Sequence, residues 1–260
     1  MPKYKFYATL LDAFTWYLKS EQENAFQEFL DKLNRVPFYS EAAEKGTVFN
    51  ELVDKITHEG EVYVADAKGM VHYKTFSFKQ HVVDHFVTLC RFADPQVFIK
   101  AILPTRLGDV ELYGYTDEVM PGGTILDIKC TGKYEFPKFL HHWQHIVYPY
   151  CFMMNGMNMP YFTYEITDYN NLYHEDYKYD HERDVAKLRL HVEHLIQFIE
   201  QHRHLITDLK LFALDEPVIP KEEKPFERLT AWANQEHGVV DKEFQDFKNK
   251  KIEEQKGLMG

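Results

Sequence analysis

Apolar residues recur at helical spacing over several stretches of the chain. Thr9 stands where a cap belongs, ahead of Leu10-Leu11-Asp12-Ala13-Phe14, and the pattern continues toward Leu33 with Asp12 favourable in its first turn. Pro37 separates this helix from a second, about Ser40 to Thr57. Lys79 to Cys90 predicts a short helix with Val82, Val83, Phe86 and Leu89 inward, and Phe136 to about Met154 predicts another. The longest row runs from about Glu182 to Ile206, where Val185, Leu188, Val192, Leu195, Ile199 and Ile206 step by threes and fours.

Between these helices the period changes to two. Alternation in Val71-His72-Tyr73-Lys74-Thr75-Phe76 predicts strands within Val62 to Phe78, and extended segments follow at Gln96 to Leu103, Asp109 to Val119, Thr124 to Cys130 and Tyr161 to Thr167. Met120-Pro121-Gly122-Gly123 is a strong hairpin signal between two of them. The expected fold is α/β, a central mixed sheet flanked by helices. Beyond Leu214 come Pro217, Pro220 and Pro225 and a mixed-charge tail. The expected organisation is therefore one domain over 1–215 and a tail over 216–260.

Composition narrows the class. Of the 260 residues, 45% are hydrophobic and 15% aromatic, enough to bury a proper core. No run of roughly 18 apolar residues offers a membrane span, and Met1-Pro2-Lys3-Tyr4-Lys5-Phe6 has no signal-peptide pattern. The three cysteines, Cys90, Cys130 and Cys151, form no CxxC and no disulfide framework. The expectation is a soluble, intracellular, cytoplasmic protein with no membrane partner.

Charge complicates the search for partners. The net charge of −11 argues against nucleic acid, but the distribution is uneven. Glu21 to Asp66 holds eleven acids against four bases, whereas Lys68 to Gly108 holds six bases against Asp84 and Asp94. A bipolar molecule of this kind can hold a polyanion on one face.

The candidate chemistry lies on the hairpin. In an extended strand, residues two apart share a face, so Asp127 and Lys129 point the same way. If the loop runs from Met120 to Thr124, Val119 pairs with Ile125 and Asp117 sits opposite Asp127. A loop one residue shorter would turn Asp117 away. Opposed carboxylates repel, and a divalent cation with a taste for hard oxygen ligands reverses that cost. Asp-x-Lys by itself is more often a surface ion pair. The next helix adds Gln144 and Tyr148 at i and i+4 on one face, flanked by Lys133 and Lys138, which suggests a substrate-facing surface.

With these residues the chain resembles the PD-(D/E)xK nuclease superfamily, and within it the RecB-type and phage exonuclease-like branch. The likeness rests on Gly114-x-x-Asp117, Asp127-Ile128-Lys129 and Gln144-x-x-x-Tyr148 in order, and on Tyr7 to Phe14 as the helical opening. It implies a PD-(D/E)xK restriction-endonuclease-like core and a metal-dependent deoxyribonuclease, an exonuclease on linear DNA in recombination or repair. Asp117 and Asp127 would ligate Mg²⁺ or Mn²⁺ with the Ile128 carbonyl. Lys129 would orient or activate water and stabilise charge on the phosphate, and Gln144 and Tyr148 would position Lys129 and the DNA backbone. DNA is the implied partner, with a single-strand annealing protein and a homo-oligomer as further ones.

One position departs from the family pattern. Asn50, four residues after Gly46, stands where the branch carries His or Glu, and Glu51 is the alternative ligand if the alignment shifts. A catalytically silent nuclease-fold protein that binds nucleic acid or a protein partner is therefore the competing expectation. His141 and His145 lack the Glu of an HExxH zinc site and are expected to face DNA or solvent. No grouped cysteines support an iron–sulfur cluster, and no Walker A, GxGxxG or Gly-x-Ser-x-Gly motif occurs.

Overall fold

The computed structural model describes residues 2–213. The tail expected over 216–260 lies outside the described residues. The chain begins with a short strand, β1 (Tyr4–Tyr7), followed by α1 (Ala8–Lys19), α2 (Ala25–Leu33) and α3 (Glu41–Thr57). A small hairpin of β2 (Met70–Tyr73) and β3 (Phe76–Lys79) leads to α4 (Gln80–Cys90). Then come β4 (Asp94–Leu103), β5 (Val110–Met120), β6 (Thr124–Cys130), α5 (Gln144–Met154), β7 (Tyr161–Thr167), β8 (Leu172–Lys178) and α6 (His181–Gln201). No helix among the described residues is long and apolar enough to cross a membrane.

Several expected elements change their limits. The helix expected from Thr9 to Leu33 is two helices, because Ser20 is extended (φ −75°, ψ 134°) and ends the first. Thr9 does not cap it; Tyr7 occupies that position without a side-chain bond. The helix expected from Phe136 starts only at Gln144. Ser40 does cap α3, its hydroxyl accepting from the Ala43 N–H, and Asp180 caps α6 through the Arg183 N–H. Strand β8 escaped the pattern because its inward positions are Tyr173, Glu175 and Tyr177, so that a regular alternation of burial is not one of hydrophobicity. It pairs antiparallel with β7 along its whole length.

The main sheet is mixed. β4 pairs antiparallel along one edge of β5, and the opposite edge of β5 is shared by two strands. Parallel β1 takes Val110 to Tyr113, and antiparallel β6 takes Glu118 to Met120. The β5 segment from Gly114 to Asp117 pairs with neither. β6 then pairs parallel with β7. The sheet thus opens into a fork whose mouth is lined by Gly114 to Asp117.

A change of face occurs at the same place. Val110, Leu112 and Val119 all belong to one core, yet 112 and 119 would lie on opposite faces of an unbroken strand. The pairing with β4 skips Gln96, which has φ 50°, at the position opposite Asp117. The kink there is a bulge-like break that re-aims the strand beyond it.

Helices cover both faces. On one, α1, α2, α5 and α6 bury Phe14, Phe29, Val147, Phe152, Leu195 and Ile199 against the sheet. On the other, α3, α4 and the small hairpin bury Phe49, Leu52, Phe78, Val82 and Phe86 over Leu126 and Ile128. Each such fully buried side chain contributes about 1.5–3 kcal/mol of transfer free energy. This rigid support on two sides is what holds the fork open without a strand to fill it.

Candidate active site

The hairpin register is the one that the longer loop predicts: Val119 pairs with Ile125 and Met120 with Thr124. Regular pairing ends at Glu118 with Leu126, one step before the carboxylates. There Asp117 replaces a backbone acceptor: its Oδ2 accepts the Ile128 N–H at 2.9 Å. The N–H and C=O of one residue in a strand point to the same edge, so the Ile128 carbonyl also faces the fork. Ile125, Asp127 and Lys129 share a face by alternation, the face that carries α5.

Asp127 is the centre of the arrangement. It is 2% exposed, its Oδ1 accepts from Gln144 Nε2 at 2.5 Å, and its Oδ2 lies 2.6 Å from Lys129 Nζ. The ammonium approaches off the hydrogen-bonding direction, so Oδ2 keeps no aligned donor, and Gln144 Oε1 is likewise buried without a partner. Lys129 also lies 5.7 Å over the Tyr164 ring. Burial, then the neighbouring Asp127 charge, pushes the Asp117 carboxyl up to about 8. Burial pushes Asp127 up as well, opposed by Lys129. Burial also works to lower Lys129, but the fields of Asp127 and Asp117 outweigh it and hold the ammonium charged.

Tyr148, one turn after Gln144, is buried and packs over the unpaired strand. A Cβ on Gly114 would stand 2.7 Å from Tyr148 Cε1 and 2.9 Å from its hydroxyl oxygen. Gly114 is therefore required by close approach, not by its backbone angle. Gly114→Ala is expected to cost about 1–3 kcal/mol through overpacking, measured by urea unfolding. Tyr148→Ala in the same chain should recover part of that loss; strictly additive costs would rule out the contact as the cause.

Asp12 is a residue whose part the sequence did not disclose. Its Oδ1 accepts the Trp143 N–H at 2.7 Å, and its Oδ2 lies 3.2 Å from His142 Nδ1. This bond from α1 pins the N-terminus of α5, where Gln144 emerges toward Asp127. Asp and a helix start are a familiar pairing, but 131 residues separate the two. A cavity of about 260 Å³ continues the fork outward between Tyr7, Arg35, Tyr113, Gly114, Tyr115 and Tyr148.

Other expected residues lie elsewhere. The Glu51 carboxylate pairs with Lys74 and accepts from the Tyr73 hydroxyl on the small hairpin. Asn50 Oδ1 is buried with no hydrogen-bond partner. His145 is not on a DNA-facing or solvated surface: it is 8% exposed, stacks on Tyr177 at 4.1 Å, and burial lowers it to about 4. Part of the basic middle of the chain is matched by acids, with Lys74 on Glu51, Arg106 on Glu193 and Lys133 on Glu135.

Fold and side chains together define an α/β protein with a forked mixed sheet and a largely buried carboxylate–lysine cluster at the fork. No known family matches the chain, and no curated protein sequence does. Among solved structures it is similar to SSO0001, with a TM-score of 0.47 and 12% identity over 76% of this chain and 78% of that one. It is also similar to a candidate exonuclease from Eubacterium rectale, with a TM-score of 0.45 and 14% identity over 86% of this chain and 92% of that one. Likenesses of this order leave the functional reading to the side chains.

Proposed function

We propose that the protein is a divalent-metal-dependent deoxyribonuclease of the PD-(D/E)xK type, acting on the ends of linear DNA. The observation that carries this reading is the convergence of Asp117, Asp127 and Lys129 at the gap in β5, with Gln144 fastened to Asp127. A half-buried carboxylate, Asp117, a buried one, Asp127, and a backbone carbonyl turned to the same edge form a hard-oxygen donor set. Asp117, Asp127 and the Ile128 carbonyl would hold Mg²⁺ or Mn²⁺, which supplies a nucleophile active at neutral pH and neutralises phosphoryl charge when bound.

The chain's own groups do the rest. Lys129, held charged, donates to the attacked phosphoryl group or to the water beside it and offsets the charge that develops there. Gln144 fixes one oxygen of Asp127 and so turns the other toward Lys129 and the fork. Tyr148 and Gly114 shape the floor of the fork, and the cavity beyond them, with Arg35 and three further tyrosines, receives the strand leading to the scissile phosphate.

Linear and closed-circular duplex DNA incubated with Mg²⁺, Mn²⁺ or EDTA tests this. Metal-dependent loss of the linear form with the circle intact is the expected result. Nicked circles would keep the chemistry and make the enzyme an endonuclease. Intact DNA in every metal would overturn the enzymatic reading and favour a silent relative that binds nucleic acid or a protein partner, with Asn50 at the departing position.

A further inference from the structure

A second cluster lies on the other side of the sheet. The kink at Asp117 turns the adjacent Glu118 toward the end of α3. Glu118 is fully buried, and its Oε1 lies 3.0 Å from Nε2 of His58. Its Oε2 is also buried and has no hydrogen-bond partner. Asp54 precedes His58 by one helical turn and so shares its face of α3. One donor atom from each of Asp54, His58 and Glu118 lies within 4.8 Å of the other two. Asp94 is close enough for its field to act on both His58 and Glu118.

An ion pair alone leaves this cluster unbalanced. His58 supplies at most one positive charge against the carboxylates of Glu118 and Asp54, and a buried carboxylate oxygen without a donor is costly. A divalent cation would supply both the charge and the missing contact. Ligand atoms about 2.1 Å from a tetrahedral ion stand about 3.4 Å apart, so small side-chain shifts suffice. One imidazole with two carboxylates suits a zinc-type ion, whereas Mg²⁺ is held through oxygen.

We infer that Asp54, His58 and Glu118 bind a first-row divalent cation of the zinc type, distinct from the ion proposed for Asp117 and Asp127. The ion ties the C-terminal end of α3 to β5 at the residue next to Asp117. Its role is structural, and it stands whether or not the protein cuts DNA.

The test uses full-length protein carrying Asp127→Asn, so that the fork binds metal poorly. Titration with Co²⁺ followed by visible absorption should show one equivalent bound, displaced by Zn²⁺, and Zn²⁺ should raise the melting temperature. Asp54→Asn and His58→Gln should each weaken binding beyond the roughly 10–100-fold that loss of an outer partner costs. X-ray absorption at the zinc edge of the Asp127→Asn protein should show one imidazole in an otherwise oxygen shell, a readout that needs no further variant to fold. Absence of stoichiometric binding, an oxygen-only shell, or affinity unchanged by His58→Gln would overturn the inference.

Discussion

Lys129→Met is expected to slow metal-dependent cleavage of linear duplex DNA by roughly 10²–10³-fold or more, while DNA binding persists. The substitution keeps the aliphatic stem that packs beside Tyr164 and removes the charge 2.6 Å from Asp127 Oδ2. Single-turnover kinetics at saturating enzyme isolates the chemical step from binding. A rate within a few fold of the unsubstituted protein would sink the assignment of Lys129. The variant should also be less stable in EDTA, since removing one partner of a buried pair typically costs about 3–5 kcal/mol. Uptake of a proton by Asp127, which burial pushes up and Lys129 holds down, softens that cost. Mg²⁺ should restore most of the lost stability, because the ion supplies the missing positive charge.

The second large effect concerns Asp117 and needs no DNA. An unfolded aspartate titrates near 3.9, whereas folded Asp117 is raised to about 8 by burial and by Asp127. Between those values the folded protein holds a proton that the unfolded chain has released. Stability in EDTA should therefore fall as pH rises through that window, the reverse of a salt-bridged carboxylate. The fall attributable to this group should reach about 2 kcal/mol or more, measured by urea unfolding at pH 5 and pH 8.5. Asp117→Asn should flatten it and be the more stable protein at pH 8.5 without metal, its amide oxygen still able to accept from the Ile128 N–H. Saturating Mg²⁺ should stabilise the unsubstituted protein and not the variant. Equal pH slopes for the two proteins would show that the carboxylates are not coupled as the structure places them. Together the two experiments test whether a cluster that destabilises the bare fold gains its stability back on binding metal.

Both effects depend on how few groups satisfy the cluster. Asp127 receives one amide donor and one off-axis ammonium, and Asp117 receives one backbone N–H. A core evolved for stability alone would have apolar residues here, since buried ion pairs contribute little beyond their desolvation cost. Neighbouring layers make up the deficit. Phe14, Phe29 and Phe198 pack ring on ring beneath α1, with centroids 5.1–5.9 Å apart. Arg106 forks onto buried Glu193, which also accepts the Arg106 N–H, and so fastens the β4–β5 loop to α6.

Much of the site was legible because its determinants are local. A Pro-Gly-Gly turn sets the loop length, the loop length sets the register, and period-two alternation puts Asp127 and Lys129 on one face. The same local logic places Gln144 and Tyr148 together and lets Ser40 begin α3. Where local signals were weak, the boundaries moved: the first helix broke at Ser20, α5 began eight residues late, β1 is only four residues long, and β8 buries a glutamate between two tyrosines where the pattern needs apolar residues.

By itself, then, the sequence determined the class of fold, the hairpin and the pairing of Asp127 with Lys129, since each follows from the period of a few adjacent residues. Only the tertiary structure decided that β1 and β6 share an edge of β5 and leave Gly114 to Asp117 unpaired. It alone showed that Asp12 caps a helix 131 residues away, and that Glu118 turns from the fork to meet His58 and Asp54. Those outcomes come from packing between distant segments and from a kink in β5 opposite Gln96, and no window of neighbouring residues contains them.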